Sequence, residues 1–372
     1  MSTLPSRARV ALVGYGLGGS KFHAPFIAAE PRLDLAVIVT ASPTRQVEAA
    51  SHHPGARVLP SVEALLKEMD DIDLVAVSTP NATHVAIAEA VMAAGRPVVV
   101  DKPVAPSADE VRHLVGLAES SGTAMVPFQN RRWDGDFRTV VALLEDGRLG
   151  RLHGFESRYE RWQPQVPSGS ERSWKREPGA DAGTGILYDL GAHIIDQALV
   201  LFGRPESVYA DIATRRAEAA VDDDVFIALL YPDGPRVHLW ASLVAANQGP
   251  RFRLLGDAAA YVKTGMDVQE AALMEGRSPM DPAWGVEPPD SWGHLEDGTQ
   301  PRAVPTVPGA YQLFYAGMAA YLLDGAAPPV AGDDAIATAE VIEAAQRSAR
   351  SGAVEPLALE GATTASTLEQ VP

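Results

Sequence analysis

Three groups of residues in this chain have the types and spacing to do chemistry, and Lys102 is the most informative single residue. It follows Val98–Val100, whose β-branched side chains predict a buried strand, and Pro103 ends that strand because proline lacks an N–H. An ammonium is costly to bury, so its place is the strand end. Ligands of open α/β sheets bind at that edge, which makes Lys102 a candidate active-site residue. The alternative is an ordinary surface lysine.

The second group is a glycine-rich loop that directly follows an apolar strand. Its glycines fit the pattern G-x-G-x-x-G, and the loop opens a strand–helix–strand unit, the context that binds a dinucleotide. Gly14 permits the tight turn, Gly16 lets the backbone approach a pyrophosphate, and Gly19 allows close helix–strand packing. The residues assigned to cofactor binding are Gly14, Tyr15, Gly16, Leu17, Gly18 and Gly19.

The end of the second predicted strand indicates which dinucleotide binds. NAD usually has its ribose diol bound by an acid about 20 residues after the glycines. Residues 39–45 contain no acid, and their hydroxyls and guanidinium suit the 2′-phosphate of NADP. We therefore predict NADP in preference to NAD, although Arg45 could also belong to a solvated first helical turn. The residues assigned are Thr40, Ser42, Thr44 and Arg45.

The strand candidates Leu74–Ser78 and Val98–Val100 bring further residues to the same sheet edge. His84 could equally be an ordinary histidine at a helix terminus. The remaining cofactor assignments are Ser78, Thr79, Pro80, Asn81, His84, Asp101 and Lys102.

The third group is an Asp/His pair at the start of a long helical segment. Asp189 and His193 are four residues apart, so on an α-helix they share one face. The preceding stretch, 183–185, contains two glycines and allows a close backbone approach. Alone, this pair could be a solvated helix face or a local hydrogen bond. Together with the glycine loop and Lys102, it becomes a candidate catalytic pair.

Polar and aromatic side chains near these positions suit a polyhydroxylated substrate. Alternation along a strand over 152–162 puts Arg158 and Arg161 on opposite faces, so at most one points into a cleft. Trp162 and Trp174 could instead pack in a core or an interface. The residues assigned to substrate binding are Asn130, Arg161, Trp174 and Tyr188.

Composition excludes several classes of function. The 372 residues include no cysteine, which excludes disulfides, thiolate nucleophiles and thiolate metal sites, and fits a cytoplasmic enzyme. His52 and His53 lack companion ligands, so no metal is expected. A net charge of −17 opposes binding to nucleic acid or an anionic membrane. No apolar run approaches a membrane span, and the first nine residues leave no room for a signal peptide.

The order of the elements predicts an α/β chain with two domains. Alternating strand and helix signals predict a Rossmann domain over 1–128, with a doubly wound parallel sheet. Residues 129–358 predict an α+β domain with a large, mainly antiparallel open sheet. The helix at 333–350 could pack back on the first domain, and 359–372 form a tail. Residues 271–308 are predicted as a long excursion, and Asp222–Asp224 as a solvated start of a strand.

A turn at Pro232-Asp233-Gly234 predicts a β-hairpin from Val225–Tyr231 and Arg236–Leu243. Its strands carry apolar residues on both faces, Phe226 and Trp240 among them. Because one face is left without a cover from its own domain, we predict a homodimer or homotetramer.

The loop over 14–19, the tripeptide Asp101-Lys102-Pro103 and the segment from Asp189 to His193 together resemble the Gfo/Idh/MocA (glucose–fructose oxidoreductase/inositol dehydrogenase) family, over nearly the whole chain. Phe22–Pro25, Asn130–Asp134 and Pro164–Val166 look like local motifs of its NADP-dependent scyllo-inositol dehydrogenases. The stretch Pro167–Arg172 departs from that pattern, being longer and more irregular.

The resemblance implies that Lys102, Asp189 and His193 form the catalytic set of an NADP-dependent oxidoreductase acting on a secondary hydroxyl of a cyclitol or sugar. His193 would be the general base, Lys102 would stabilise charge on the reacting oxygen, and Asp189 would orient the hydroxyl or His193. The alternatives are an NAD-dependent glycosidase that oxidises its substrate transiently, which the missing acid disfavours, and a nucleotide-binding sensor without turnover.

Overall fold

The apolar segments in the first third of the chain form parallel strands. The computed structural model describes residues 7–166 and 183–357. The described strands are, in chain order, β1 (Ala8–Val13), β2 (Leu33–Val39), β3 (Arg57–Leu59), β4 (Leu74–Val77), β5 (Val98–Asp101), β6 (Met125–Phe128), β7 (Leu152–Glu160), β8 (Ser207–Ala213), β9 (Asp224–Leu230), β10 (Arg236–Ser242), β11 (Phe252–Gly256), β12 (Ala260–Lys263), β13 (Gly293–Glu296), β14 (Arg302–Val304) and β15 (Glu355–Pro356).

The helices begin where local capping and periodicity allow. Ser107 starts one of them with a capping box, in which the Glu110 N–H donates to Ser107 Oγ and the Ser107 N–H donates to the Glu110 carboxylate. The described α-helices are α1 (Ala24–Ala29), α2 (Pro43–His52), α3 (Val62–Leu66), α4 (His84–Ala93), α5 (Ala108–Ser120), α6 (Gly135–Glu145), α7 (Ala192–Phe202), α8 (Gln269–Met274), α9 (Gln312–Asp324) and α10 (Gly332–Ser351).

The chain divides into two compact units, each with its own sheet. The first unit comprises Met1–Asn130, Gln269–Trp284 and Ala310–Ile336. The second comprises Arg131–Val268, Gly285–Gly309 and Ala337–Pro372.

The sheet of the first unit has the order β3-β2-β1-β4-β5-β6, and all its pairings are parallel. This is the doubly wound order that the sequence predicts, with the reversal between β1 and β4. Strands β1, β4 and β5 are almost entirely buried, as expected for a sheet covered on both faces. The short, half-exposed strand β3 was not predicted, because it carries little apolar pattern.

The sheet of the second unit is mixed and mostly antiparallel, with the order β14-β13-β12-β11-β7-β10-β9-β8-β15 among the described residues. The pair β7–β10 is parallel, and the predicted hairpin β9–β10 is confirmed. The prediction of a long excursion over 271–308 is wrong in part, because β13 and β14 extend this sheet. A buried ion pair between Lys263 Nζ and Glu287 Oε1 (2.8 Å) fastens the segment.

Alternate residues of β9 and β10 lie on opposite faces of this sheet. Val225, Ile227 and Leu229 are buried in a core to which α7 and α10 contribute. On the other face, the rings of Phe226 and Trp240 are 5.2 Å apart. The second face is therefore aromatic and only partly buried.

The expectation of a solvated strand start at 222–224 is wrong for its first two residues. Asp223 is fully buried and accepts hydrogen bonds from the backbone N–H groups of Arg215 and Arg216 and from Arg216 Nε. Asp222 accepts the Leu187 N–H (2.8 Å) and so caps the segment that carries Asp189. Burial of a carboxylate requires such compensation.

Across residues 7–166 and 183–357, no helix combines the length and apolar character needed to cross a membrane.

Candidate active site

The glycine loop has the close contacts that dinucleotide binding requires. Gly14 has φ +100°, and a Cβ there would lie 2.2 Å from the Ser78 carbonyl oxygen. A Cβ on Gly19 would lie 2.0 Å from the Gly14 carbonyl oxygen. Only glycine fits either position, and the loop leads into a helical segment starting at Gly18. Tyr15, between these two glycines, is instead a buried side chain whose ring lies edge-on to that of His53.

Arg45 lies beside this loop. A Cβ on Gly16 would be 3.8 Å from Arg45 Nη1, so the guanidinium is next to the glycine whose backbone would approach the pyrophosphate. Ser42 caps α2 by accepting the Arg45 N–H (3.5 Å), which places Arg45 in the first helical turn. Thr44 and Arg45 are exposed, whereas Thr40 is nearly buried at the end of β2. The loop fits a dinucleotide, and this cationic side chain lies directly beside it.

Asp101 joins the ends of two strands to the glycine loop. Its Oδ2 accepts the hydroxyl of Ser78 (2.9 Å), and its Oδ1 accepts the backbone N–H of Lys102 (2.9 Å). A Cβ on Gly18 would be 3.0 Å from Asp101 Oδ2 and 2.4 Å from Ser78 Oγ. The residue before Lys102 is thus fixed against the loop, and Lys102 stands at the carboxyl edge of the sheet.

The ring of His23 lies between the carboxylate of Asp101 and the hydroxyl of Tyr315. Its Nε2 lies 3.6 Å from Asp101 Oδ2, and its Nδ1 lies 2.6 Å from the hydroxyl of Tyr315. Burial raises the pKa of Tyr315, as does the charge of Asp101, so that hydroxyl keeps its proton. Both His23 and Tyr315 are fully buried, and His23 also packs on Phe128.

These contacts keep Asp101 ionised. Burial on its own raises the pKa of this carboxyl. The contact with His23 and the charges of His23, His84 and Lys102 outweigh burial and lower the pKa to about 2. Sequence reasoning missed the roles of His23 and Tyr315. The position of His23 in Phe22-His23-Ala24-Pro25 was the available signal, whereas nothing local marks Tyr315.

His84 is fully buried at the start of α4, and both ring nitrogens face backbone oxygens. Nδ1 is 3.0 Å from the Pro103 carbonyl, and Nε2 is 2.9 Å from the Thr79 carbonyl. This geometry favours a structural role over direct contact with a cofactor. Of the neighbouring residues, Ser78 and Thr79 are partly exposed, Pro80 is exposed and Asn81 is buried.

In the second unit, Asp189 lies in a π-helical turn, Leu187–Gly191, that runs directly into α7. Such turns interrupt α-helices frequently at functional sites. Asp189 is partly exposed, and His193 is 6% exposed. Gly185, with φ +90°, starts the turn, and a Cβ there would collide with the carboxylate of Asp222. The Asp/His pair is thus on a helix whose first turn is held by Asp222.

A buried polar network anchors α7 just beyond His193. Asp196 pairs with Arg132 through both carboxylate oxygens, at 2.9 and 2.6 Å. Gln197 donates to the Arg131 carbonyl (2.8 Å) and accepts from Arg251 (2.7 Å). Bidentate and charge-assisted hydrogen bonds of this kind fix geometry well.

The residues predicted to bind the substrate lie in different environments, and one of them, Trp174, is not among the described residues. Arg161 Nη2 donates to the Tyr159 hydroxyl (3.0 Å), while Arg158 stacks on Trp240, so the two arginines do lie on opposite faces. Tyr188 is buried and accepts from Gln346 (3.5 Å), and Asn130 is buried in a 3₁₀ turn. Trp174 and the whole stretch 167–172 lie outside the described residues.

We expect the ionisation of Asp101 to stabilise the fold. Its pKa lies below the ordinary 3.8, so its contribution is complete above about pH 4 and is lost as the pH falls toward 2. Asp101→Asn should lower the free energy of unfolding by about 2 kcal/mol at pH 7, and by progressively less below pH 4, in urea titrations. The exposed Asp70→Asn is the control for loss of one negative charge. A deficit that stays constant between pH 7 and pH 3 would contradict the ionic role.

Two models of one oxidoreductase family together match most of the chain. Residues 8–128 match the model of the oxidoreductase family NAD-binding Rossmann fold, GFO_IDH_MocA. Residues 141–359 match the C-terminal alpha/beta domain of the same oxidoreductase family.

Similar proteins extend over nearly the whole chain. A scyllo-inositol 2-dehydrogenase (NADP(+)) of Bacillus subtilis is 34% identical, covering 92% of this chain and 94% of its own. The uncharacterized oxidoreductase YdgJ of Escherichia coli is 37% identical, covering 92% and 96%. The solved structure of the oxidoreductase yvaA from Bacillus subtilis superposes with a TM-score of 0.88 at 33% identity, covering 95% of this chain and 99% of that one.

With both domains matched and relatives of 34% and 37% identity aligned over 92% of its length, the chain belongs to the Gfo/Idh/MocA family of NAD(P)-dependent oxidoreductases.

Proposed function

We propose that this protein is an NADP-dependent dehydrogenase that oxidises a secondary hydroxyl of a cyclitol or sugar, or reduces the matching ketone. The observation that carries this proposal is the link from the glycine loop through Asp101 to Lys102 at one sheet edge. A cationic donor close to a dinucleotide loop is what a dehydrogenase needs and a nucleotide sensor does not, and this link through the Lys102 backbone N–H supports that role.

The cofactor preference is argued from the end of β2. Asp or Glu would repel a 2′-phosphate, and the stretch 40–45 offers hydroxyls and one guanidinium instead. Arg45 stands beside the loop, where it would neutralise that phosphate. The similarity to an NADP-dependent dehydrogenase supports the same preference. When bound, the nicotinamide supplies the site that accepts or donates hydride.

The roles proposed for the protein's own groups follow from their chemistry. Lys102 Nζ donates a hydrogen bond to the reacting oxygen and stabilises negative charge that develops on it. A ring nitrogen of His193 accepts the hydroxyl proton in the oxidative direction. Asp189 orients the hydroxyl or the imidazole. The π-turn capped by Asp222 and the polar anchors of α7 keep these two side chains in place.

The substrate class is proposed from polar groups and from similarity. Asn130, Arg161 and Tyr188, with Trp174 from beyond the described residues, offer amide, guanidinium, phenol and indole groups suited to several hydroxyls. The named relative acts on scyllo-inositol, which supports a cyclitol. The stretch 167–172 is the part of the chain through which we expect the substrate range to differ from that of the relatives.

An assay of a cyclitol and sugar panel with NADP and NAD at matched concentrations tests the function. We expect net NADPH formation with a cyclitol or sugar, and a loss of about 100-fold or more in kcat for Lys102→Ala. Lys67→Ala, at an exposed lysine just after α3, is the control and should keep wild-type activity. Near-normal turnover of Lys102→Ala would overturn the role of Lys102. Glycoside cleavage without accumulation of NADPH would instead indicate the glycosidase, and nucleotide binding without any turnover the sensor.

Arg45→Ala tests the cofactor preference. The lost contact is a charge-assisted hydrogen bond to phosphate, so the Kd for NADP should rise about tenfold or more, while the Kd for NAD changes little. Fluorescence titration measures both constants. Arg112→Ala, a surface arginine of α5, is the matched control. Equal weakening of NADP and NAD binding would contradict the proposal.

We also propose that the protein forms a homodimer or homotetramer through the outer face of the second sheet. Phe226, His238 and Trp240 form an aromatic cluster there, with Arg158 stacked on Trp240. Trp240→Glu would bury a charge in such an interface and should shift the mass measured by sedimentation toward a monomer. Val47→Glu, at an exposed apolar residue of α2, should leave the mass unchanged. A monomeric wild-type protein would refute this assembly.

A further inference from the structure

The two loops that follow β4 and β5 are joined by a single buried side chain. His84 Nε2 is 2.9 Å from the Thr79 carbonyl oxygen, and His84 Nδ1 is 3.0 Å from the Pro103 carbonyl oxygen. Thr79 follows Ser78, which donates to Asp101, and Pro103 follows Lys102. One ring therefore ties together the backbone on both sides of the Ser78–Asp101 contact.

Both partners of the His84 ring are carbonyl oxygens, which accept hydrogen bonds and cannot donate them. The protonation state of the ring therefore decides how many of these hydrogen bonds can form. A neutral imidazole has one N–H and one bare nitrogen, so it can donate to one of the two carbonyls. The other carbonyl would then face a lone pair in a site where the ring has no exposed surface. An imidazolium has two N–H groups on opposite sides and satisfies both acceptors.

Some of the charges around the His84 ring favour its cationic form and others oppose it. Asp101 lies close enough to interact with the charge of His84, and it favours the cation. Lys102 and the N-terminal end of α4 oppose it. On the same helix, Glu89 Oε1 lies 2.7 Å from Nε2 of His113 on α5. Glu63 of the neighbouring α3 and Lys67, just after that helix, are exposed.

We propose that His84 is a positioning residue whose doubly protonated ring fastens the backbone beyond Lys102 to the loop after β4. In this role, which rests on the proposed function, His84 touches neither substrate nor cofactor. It acts through the backbone of Pro103, limiting the positions open to Lys102. The Asp101 carboxylate accepts the Lys102 N–H on one side of Lys102, and His84 binds the carbonyl oxygen of Pro103 on the other side.

The protonation part is tested on the wild-type protein alone. Nitrogen NMR of histidine-labelled protein, with the His84 signals assigned from their absence in His84→Gln, reports which ring nitrogens carry protons. We expect both nitrogens to be protonated at pH 7, with and without NADP. A ring with one bare nitrogen under these conditions would overturn the proposal.

The positioning part is tested with His84→Phe, which keeps a ring but removes both donors, and with His84→Gln, which keeps one donor group. We expect kcat to fall about tenfold or more in His84→Phe and less in His84→Gln, with the Kd for NADP changed less than threefold, since the phosphate contacts are elsewhere. His113→Gln, at an exposed histidine, is the control. Wild-type kcat in a folded His84→Phe variant would overturn the proposal.

A readout without turnover separates this proposal from the proposed function. Hydrogen exchange of the Lys102 amide should be at least about tenfold faster in His84→Phe than in wild type, because the segment is less restrained. If the protein shows no dehydrogenase activity but exchange of this amide accelerates, the proposed function is refuted and the positioning role of His84 is supported. Unchanged exchange of that amide in a folded His84→Phe variant would refute the positioning role of His84, whether or not the protein has dehydrogenase activity.

Discussion

The carboxylate of Asp101 is the interaction on which the rest of this site depends. It stands at the end of a buried strand, where an anion loses hydration and must recover it from donors. The Ser78 hydroxyl and the Lys102 N–H supply those donors, and the imidazole nitrogen Nε2 of His23 lies 3.6 Å from the same carboxylate. Because Gly18 lies directly against the same carboxylate, one ionised group fixes the ends of β4 and β5 and the nucleotide loop together.

Much of this arrangement could be predicted from local sequence. The apolar run before Lys102 and the glycine pattern after β1 are strong signals within a few residues, and each is found as expected. Strands β3, β13 and β14 were not predicted, because they are short and partly exposed. Such strands are stabilised by pairing with a neighbour, and single-chain patterns do not carry that information.

The supporting residues were harder to predict for the same physical reason. Tyr315 contacts His23 across 292 positions of the chain, so no spacing links them. Asp222 and Asp223 have the composition of a solvated acidic run, yet their backbone and arginine donors permit burial. His84 could be placed at a helix start, but only the fold shows that both its nitrogens meet carbonyl oxygens. Residue type indicates what a group can do, and tertiary contacts decide which option is used.

Transfer of label from substrate to cofactor tests the central claim most directly, namely that this sheet edge presents a secondary alcohol to a nicotinamide. A cyclitol carrying deuterium on the carbon of the reacting hydroxyl is incubated with the protein and NADP, and the reduced cofactor is examined by mass spectrometry. The account predicts NADPH that carries one deuterium, in wild type but not in Lys102→Ala. Reduced cofactor without deuterium, or product formed with no reduced cofactor, would contradict it.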